Sequence, residues 1–126
     1  MKIAVIIARV LLGFTFVFFG ANLLHPFLPM PVPSGLAGQF MVVFFQSHWV
    51  TIVAAVQVIA GLLLLVNRYV PLALALLGPV IVNILTFHLL MNLEGIPPGA
   101  VATVLWFFLF YRYRANFAGL FVAKAE

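Results

Sequence analysis

Cysteine is absent from the 126 residues, and so is aspartate. Without cysteine there is no disulfide framework, no dithiol redox pair, no thiolate metal site and no Cys-ligated iron–sulfur cluster. Without aspartate, and with Glu94 and Glu126 both outside the long apolar runs, no carboxylate pair or Ser/His/Asp constellation can be assembled. Charge of either sign is scarce, at 6% of residues against about 25% in soluble domains. Six basic and two acidic side chains cannot cover the surface of a small soluble fold. A hydrophobic content of 67% excludes a disordered chain equally. The net charge of +4 does not indicate nucleic acid, because the cations are scattered among apolar runs instead of forming a stripe.

What is present is apolar sequence in long runs, with a mean hydropathy of +1.30. A helix needs about 20 apolar residues to cross a bilayer core. Four segments approach that: about 3–24, 48–66, 71–91 and 98–117. Arg9 interrupts the start of the first, and no small-residue cleavage pattern stands near Ala21, so this segment is read as a retained span and not as a cleaved signal. The breaks are marked by proline. His25 to Gly35 contains Pro26, Pro29, Pro31 and Pro33, which remove backbone donors and stop a helix. Asn67-Arg68-Tyr69-Val70-Pro71 reads as a tight turn into a new helix. Asn92 to Pro98 forms the third break.

One helix from Leu36 to Val66 would be about 46 Å long, well beyond a ~30 Å hydrocarbon core. Leu36–Gln46 is therefore expected to form a separate short helix, interfacial or re-entrant, jointed at Ser47-His48-Trp49. The expected fold is an all-α integral membrane four-helix bundle, a single transmembrane domain over residues 1–126. With four spans, Lys2, Arg9, Arg68, Arg112, Arg114 and Lys124 all fall on one side and Glu94 on the other. The positive-inside rule then places both termini in the cytoplasm.

Polar residues in a span are expected to face the bundle interior. By 100° steps, Arg9, Gly13, Phe16 and Gly20 share a stripe, as do Ala54, Gln57 and Gly61, and as do Pro79, Asn83, Thr86 and Leu90. Gln57 and Asn83 fall at similar depth and are expected to hydrogen-bond, either as interhelical glue or as part of a site for a carbonyl or hydroxyl ligand. Arg9 has two readings: it snorkels to the cytoplasmic headgroups, or it turns inward to a carbonyl, an amide, or an anionic or quinone-like head group. His25, His48 and His88 lie near the outer face without metal-ligand spacing. His88 and Asn92, four apart, are placed to interact at the end of the third span.

The order Ala8-Arg9-Val10-Leu11-Leu12-Gly13, Phe18-Phe19-Gly20-Ala21-Asn22 and Pro29-Met30-Pro31 resembles the opening of DoxX-like membrane proteins. Gly61 to Pro71 looks like that family's second-to-third helix hairpin, and Pro79-Val80-Ile81-Val82-Asn83 with Phe87-His88-Leu89 resembles its third helix. The resemblance implies a four-span protein of the bacterial inner membrane, tied to oxidoreductase systems, thiosulfate–quinone chemistry, and oxidative or thiol stress. Many such proteins carry an acid where Gln57 stands. The function expected is a membrane subunit that binds a lipophilic ligand such as a quinone, or that docks a redox partner, without a catalytic residue of its own. Arg9, Asn22, Gln57, Asn83 and His88 are the candidate ligand-binding residues. Asn22 lies about 140° from the Arg9–Gly20 stripe, so the five are not expected to share one site. The bilayer is the expected partner, and a homo-oligomer is a further one. A purely structural or assembly protein and an oligomeric transporter are the alternatives; no inverted repeat relates the halves.

Overall fold

The computed structural model describes residues 2–29 and 31–125. All regular structure among them is helical. Helix α1 spans Lys2–Leu24, α2 Gly35–Gln46, α3 Trp49–Leu65, α4 Val70–Met91 and α5 Pro97–Arg112. Short 3-10 turns at Leu93–Gly95 and Arg114–Phe121 follow α4 and α5.

Each boundary has a local cause. α1 stops at Leu24 because His25 precedes Pro26, which disfavours helical geometry at the residue before it. Pro71 sits in the first turn of α4 and Pro97 opens α5, where a missing N–H costs nothing. The α3–α4 turn is closed by Asn67 and Tyr69 in left-handed conformations (φ 56° and 53°). The Arg68 N–H donates back to the Leu63 carbonyl at 3.0 Å.

α2 and α3 meet at an angle of 83°. The corner residue is His48, at φ 63°. Ser47 braces it: its hydroxyl accepts the Trp49 N–H at 3.2 Å. So the apolar stretch from 35 to 65 is folded on itself instead of running straight, as its excess length requires.

α1, α3, α4 and α5 pack in a closed ring: α1 lies against α3 and α5, and α4 lies against the same two. Neighbours run antiparallel. Arg9 near the start of α1 reaches Leu64 at the end of α3, and Leu74 near the start of α4 touches Trp106 near the end of α5. The centre of the ring is apolar, with Leu12, Leu64, Leu74, Leu77 and Leu109 fully buried. The periphery is equally apolar; Ile3, Ile52, Val82 and Val104 are all strongly exposed. This inside-out lack of contrast is what a lipid-facing surface needs and a water-facing one does not tolerate.

α1 and α4 are each long and apolar enough to cross a membrane, and α2 with α3 form a bent third candidate. α5 has 16 residues, about 24 Å of helix, which is short of a full bilayer core. The antiparallel ring gathers Lys2, Arg9, Arg68, Arg112 and Arg114 at one end, while Glu94 lies at the other.

Candidate functional site: a cavity between α1 and α5

The α1–α3 seam is made by small residues. A Cβ on Gly13 would fall 2.9 Å from the Gly61 carbonyl oxygen, and one on Gly20 would fall 2.9 Å from Val58 Cγ2 and 3.1 Å from Gln57 Cβ. Close approach of the two backbones carries Gln57 into the ring, where it is only 4% exposed.

Gln57 opens into a cavity of about 330 Å³. Its walls come from α1 (Thr15, Phe16, Phe19, Asn22), α4 (Ile84, His88), the following turn (Gly95) and the start of α5 (Pro98, Gly99, Ala102). Phe16, Asn22, Gln57, Gly99 and Ala102 are buried, whereas Phe19 and Pro98 at the rim are exposed. The opening therefore lies between α1 and α5 and faces the apolar flank of the bundle.

The polar inventory of the cavity is short. Thr15 is internally satisfied, its hydroxyl donating to the Leu11 carbonyl at 2.7 Å. The Asn22 Oδ1 accepts the backbone N–H groups of Phe27 and Leu28, both at 3.0 Å. Asn22 thus fastens the proline-rich strap to the end of α1, and at 1% exposure it is sealed there. His88 Nδ1 lies 3.0 Å from the Asn92 carbonyl oxygen. Gly95 backs the ring: a Cβ there would fall 2.8 Å from His88 Cε1. The Gln57 amide hydrogen-bonds to no described protein group, and its atoms stay accessible from the cavity. Gln57 and the second nitrogen of His88 are thus the polar groups left for a ligand.

Asn22, Gln57 and His88 are brought together, and Arg9 and Asn83 are not. Arg9 lies about 20 Å from Asn22 along α1, by 13 residues at 1.5 Å each. Its guanidinium is half-buried and donates to the Leu64 carbonyl and, at 3.3 Å, to that of Leu65. These are carbonyls of the last turn of α3, beyond the regular helical ladder; Leu64 also accepts a long backbone bond, 3.3 Å, from the Asn67 N–H. A cation at this negative end is favourable as well. Arg9 caps α3 and lies outside the cavity.

Asn83 corrects the expected Gln57–Asn83 bond. Its amide nitrogen donates to Pro79 O, 2.9 Å away on its own helix, and the side chain is exposed. Thr86 does likewise to Val82 O at 2.7 Å. The whole Pro79–Asn83–Thr86–Leu90 stripe is exposed. A polar side chain can bond to the carbonyl four residues back, so it has no need of a partner helix. His88 lies about 140° around α4 from Asn83 and so faces the opposite way, into the cavity.

Sequence reasoning missed Gly95, Pro98 and Gly99 as walls, because Gly95 lies in what reads as a connecting loop and Pro98 and Gly99 at the very start of the fourth apolar run. It also missed Trp106, whose indole N–H donates to the Leu74 carbonyl at 2.9 Å. Pro79, inside the continuous α4, has no N–H for the neighbouring Ala75 carbonyl. A tryptophan in an apolar helix needs a partner for its N–H, which is the signal that was available. Among the described residues no group of three or more metal-ligating side chains converges.

The chain matches no known family model, no curated protein and no solved structure.

Proposed function

We propose that the chain is a four-span protein of the bacterial inner membrane, both termini cytoplasmic, that binds a small lipophilic ligand with a hydrogen-bonding head, such as a quinone. The cations at one end of the ring support the orientation through the positive-inside rule. A shortened α5 is accommodated where the bilayer thins locally or where Tyr111, Arg112 and Tyr113 extend to the headgroups. The likeness of residues 8–22, 61–71 and 79–89 to DoxX-like proteins supports the same placement.

The observation that carries the ligand is Gln57. An amide withdrawn from water without a hydrogen-bond partner costs several kcal/mol in an apolar setting. Here the residue is 4% exposed, and its amide meets no partner among the described residues and faces a cavity at the small end of the ~300–1,000 Å³ range of ligand pockets. The opening on the apolar flank suits a ligand arriving from lipid. The redox-system role implied by the resemblance is consistent with a carrier whose ring sits at Gln57 and whose tail leaves past Phe19 and Pro98.

The test is mass spectrometry of what co-purifies in mild detergent. Wild-type protein should retain a lipophilic ring compound, and Gln57→Leu should lose it while keeping its melting temperature. Protein that carries no such compound, or a Gln57→Leu variant that retains it, would favour a structural or assembly role. A reporter fused after Glu126 should be active only in the cytoplasm.

A further inference from the structure

We infer that the head recognised by the cavity is a hydroxyl donor, a phenol-type ring that gives its O–H to Nε2 of His88. The inference rests on the reading of the cavity as a ligand site and specifies its chemistry.

The argument starts from the tautomer. A backbone carbonyl can only accept, so the 3.0 Å contact of His88 Nδ1 with Asn92 O puts a proton on Nδ1. In the neutral imidazole the other nitrogen is then a bare lone pair. The ring is held in that pose. Gly95 lies against Cε1 and Nδ1, so closely that a Cβ would fall 2.8 and 3.0 Å from them. Phe87 meets the imidazole edge-on, with ring centroids 5.1 Å apart. Nε2 has no protein partner among the described residues, and no Lys, Arg, Asp or Glu lines the cavity.

The two free polar groups therefore ask different things of a ligand. Gln57 offers both a donor and an acceptor, so it serves a carbonyl or a hydroxyl equally. His88 accepts only. An oxidised quinone, with two carbonyls, would be held by Gln57 but would set an oxygen lone pair against that of Nε2, so within the quinone class the reduced, hydroxyl-bearing form is the one the site selects. A ring bearing a hydroxyl satisfies both. Selection by a site that must be given a hydrogen bond is stronger than selection by apolar fit. Phe16, Phe19, Ile84 and Ala102 supply the apolar walls for the ring itself.

The test uses a redox-inert pair, 4-hexylphenol and its methyl ether 4-hexylanisole, titrated in mildly alkaline buffer into protein in lipid nanodiscs, with empty nanodiscs as the partition control. The phenol should bind about tenfold more tightly, the worth of one hydrogen bond. The His88 Nε2 resonance in ¹⁵N-histidine-labelled protein should move with the phenol and stay still with the ether, His25→Gln and His48→Gln giving its assignment. His88→Phe should bring the two affinities to within about twofold. Equal binding of phenol and ether by wild-type protein, or a preference that survives His88→Phe, overturns the hydroxyl inference while leaving the cavity a ligand site. Binding of neither compound overturns the ligand-site reading, and the inference with it. If His88→Phe does not fold, the wild-type affinities and the Nε2 shift decide alone.

Discussion

Gly13 and Gly61 face each other across the α1–α3 seam so closely that neither position has room for a side chain. A Cβ on Gly61 would fall 2.8 Å from the Gly13 carbonyl oxygen and from Val17 Cγ2, and one on Gly13 would fall 2.9 Å from the Gly61 carbonyl oxygen. In the proposed membrane setting lipid supplies no hydrophobic drive between helices, so close van der Waals packing at such points must hold them. The seam also sets the depth to which Gln57 is carried.

Gly61→Ala should therefore cost about 1–3 kcal/mol, the range for overpacking against backbone that cannot move aside. Gly119→Ala, where nothing lies within 4 Å, should be neutral. Thermal unfolding of both variants in the same detergent makes the comparison. A Gly61→Ala protein as stable as Gly119→Ala would mean that the seam is looser than its geometry.

Arg9 should behave as a structural cap. Arg9→Leu removes a charged donor from the Leu64 and Leu65 carbonyls and should cost about 1.5–3 kcal/mol. Phenol affinity in the cavity should change by less than about twofold, because the site lies about 20 Å away along α1. Calorimetric titration of the variant separates the two effects. A large loss of affinity without a loss of stability would return Arg9 to the ligand site.

How far the sequence could be read follows from these particular residues. The glycine stripes of α1 and α3 were legible because glycine in an apolar helix has little purpose except close approach. The jointed α2–α3 unit was legible because 31 residues from Leu36 to Val66 are too long for one crossing. The direction of the α4 stripe was not legible. A helix apolar all round gives no contrast between its faces, and Asn83 and Thr86 conceal their outward placement by bonding to carbonyls of their own helix. The cavity was legible only in part. Gln57, Asn22 and His88 announced themselves as polar groups at membrane depth, but the walls come from separate segments, and no local pattern in sequence records that Gly95 and Gly99 close around them.

Trp106 tests the packing of α4 on α5. Trp106→Phe keeps most of the aromatic volume, including the stack on Phe110 at 5.1 Å, but deletes the donor to the Leu74 carbonyl. The expected loss is about 1 kcal/mol, the net worth of one neutral hydrogen bond. Chemical or thermal unfolding followed by circular dichroism measures it. A Trp106→Phe protein of unchanged stability would show that the Leu74 carbonyl needs no donor from outside its own helix.

Asn22 separates a positioning role from a ligand role at the cavity wall. Its Oδ1 holds the Phe27 and Leu28 N–H groups, so Asn22→Ala frees the strap at its first turn. Two backbone donors then lose a shared acceptor, and about 1–3 kcal/mol of stability should go with it. Hydrogen exchange should rise at Phe27 and Leu28 specifically, while the Gly13–Gly61 seam stays protected, since the strap adds nothing to that contact. Phenol affinity should fall only as far as the loosened strap admits water to the cavity, and the preference for phenol over its methyl ether should persist, because that preference belongs to His88. If Asn22→Ala instead abolished the preference and left exchange at Phe27 and Leu28 unchanged, Asn22 would be the group that reads the ligand, and the strap would be held by other contacts.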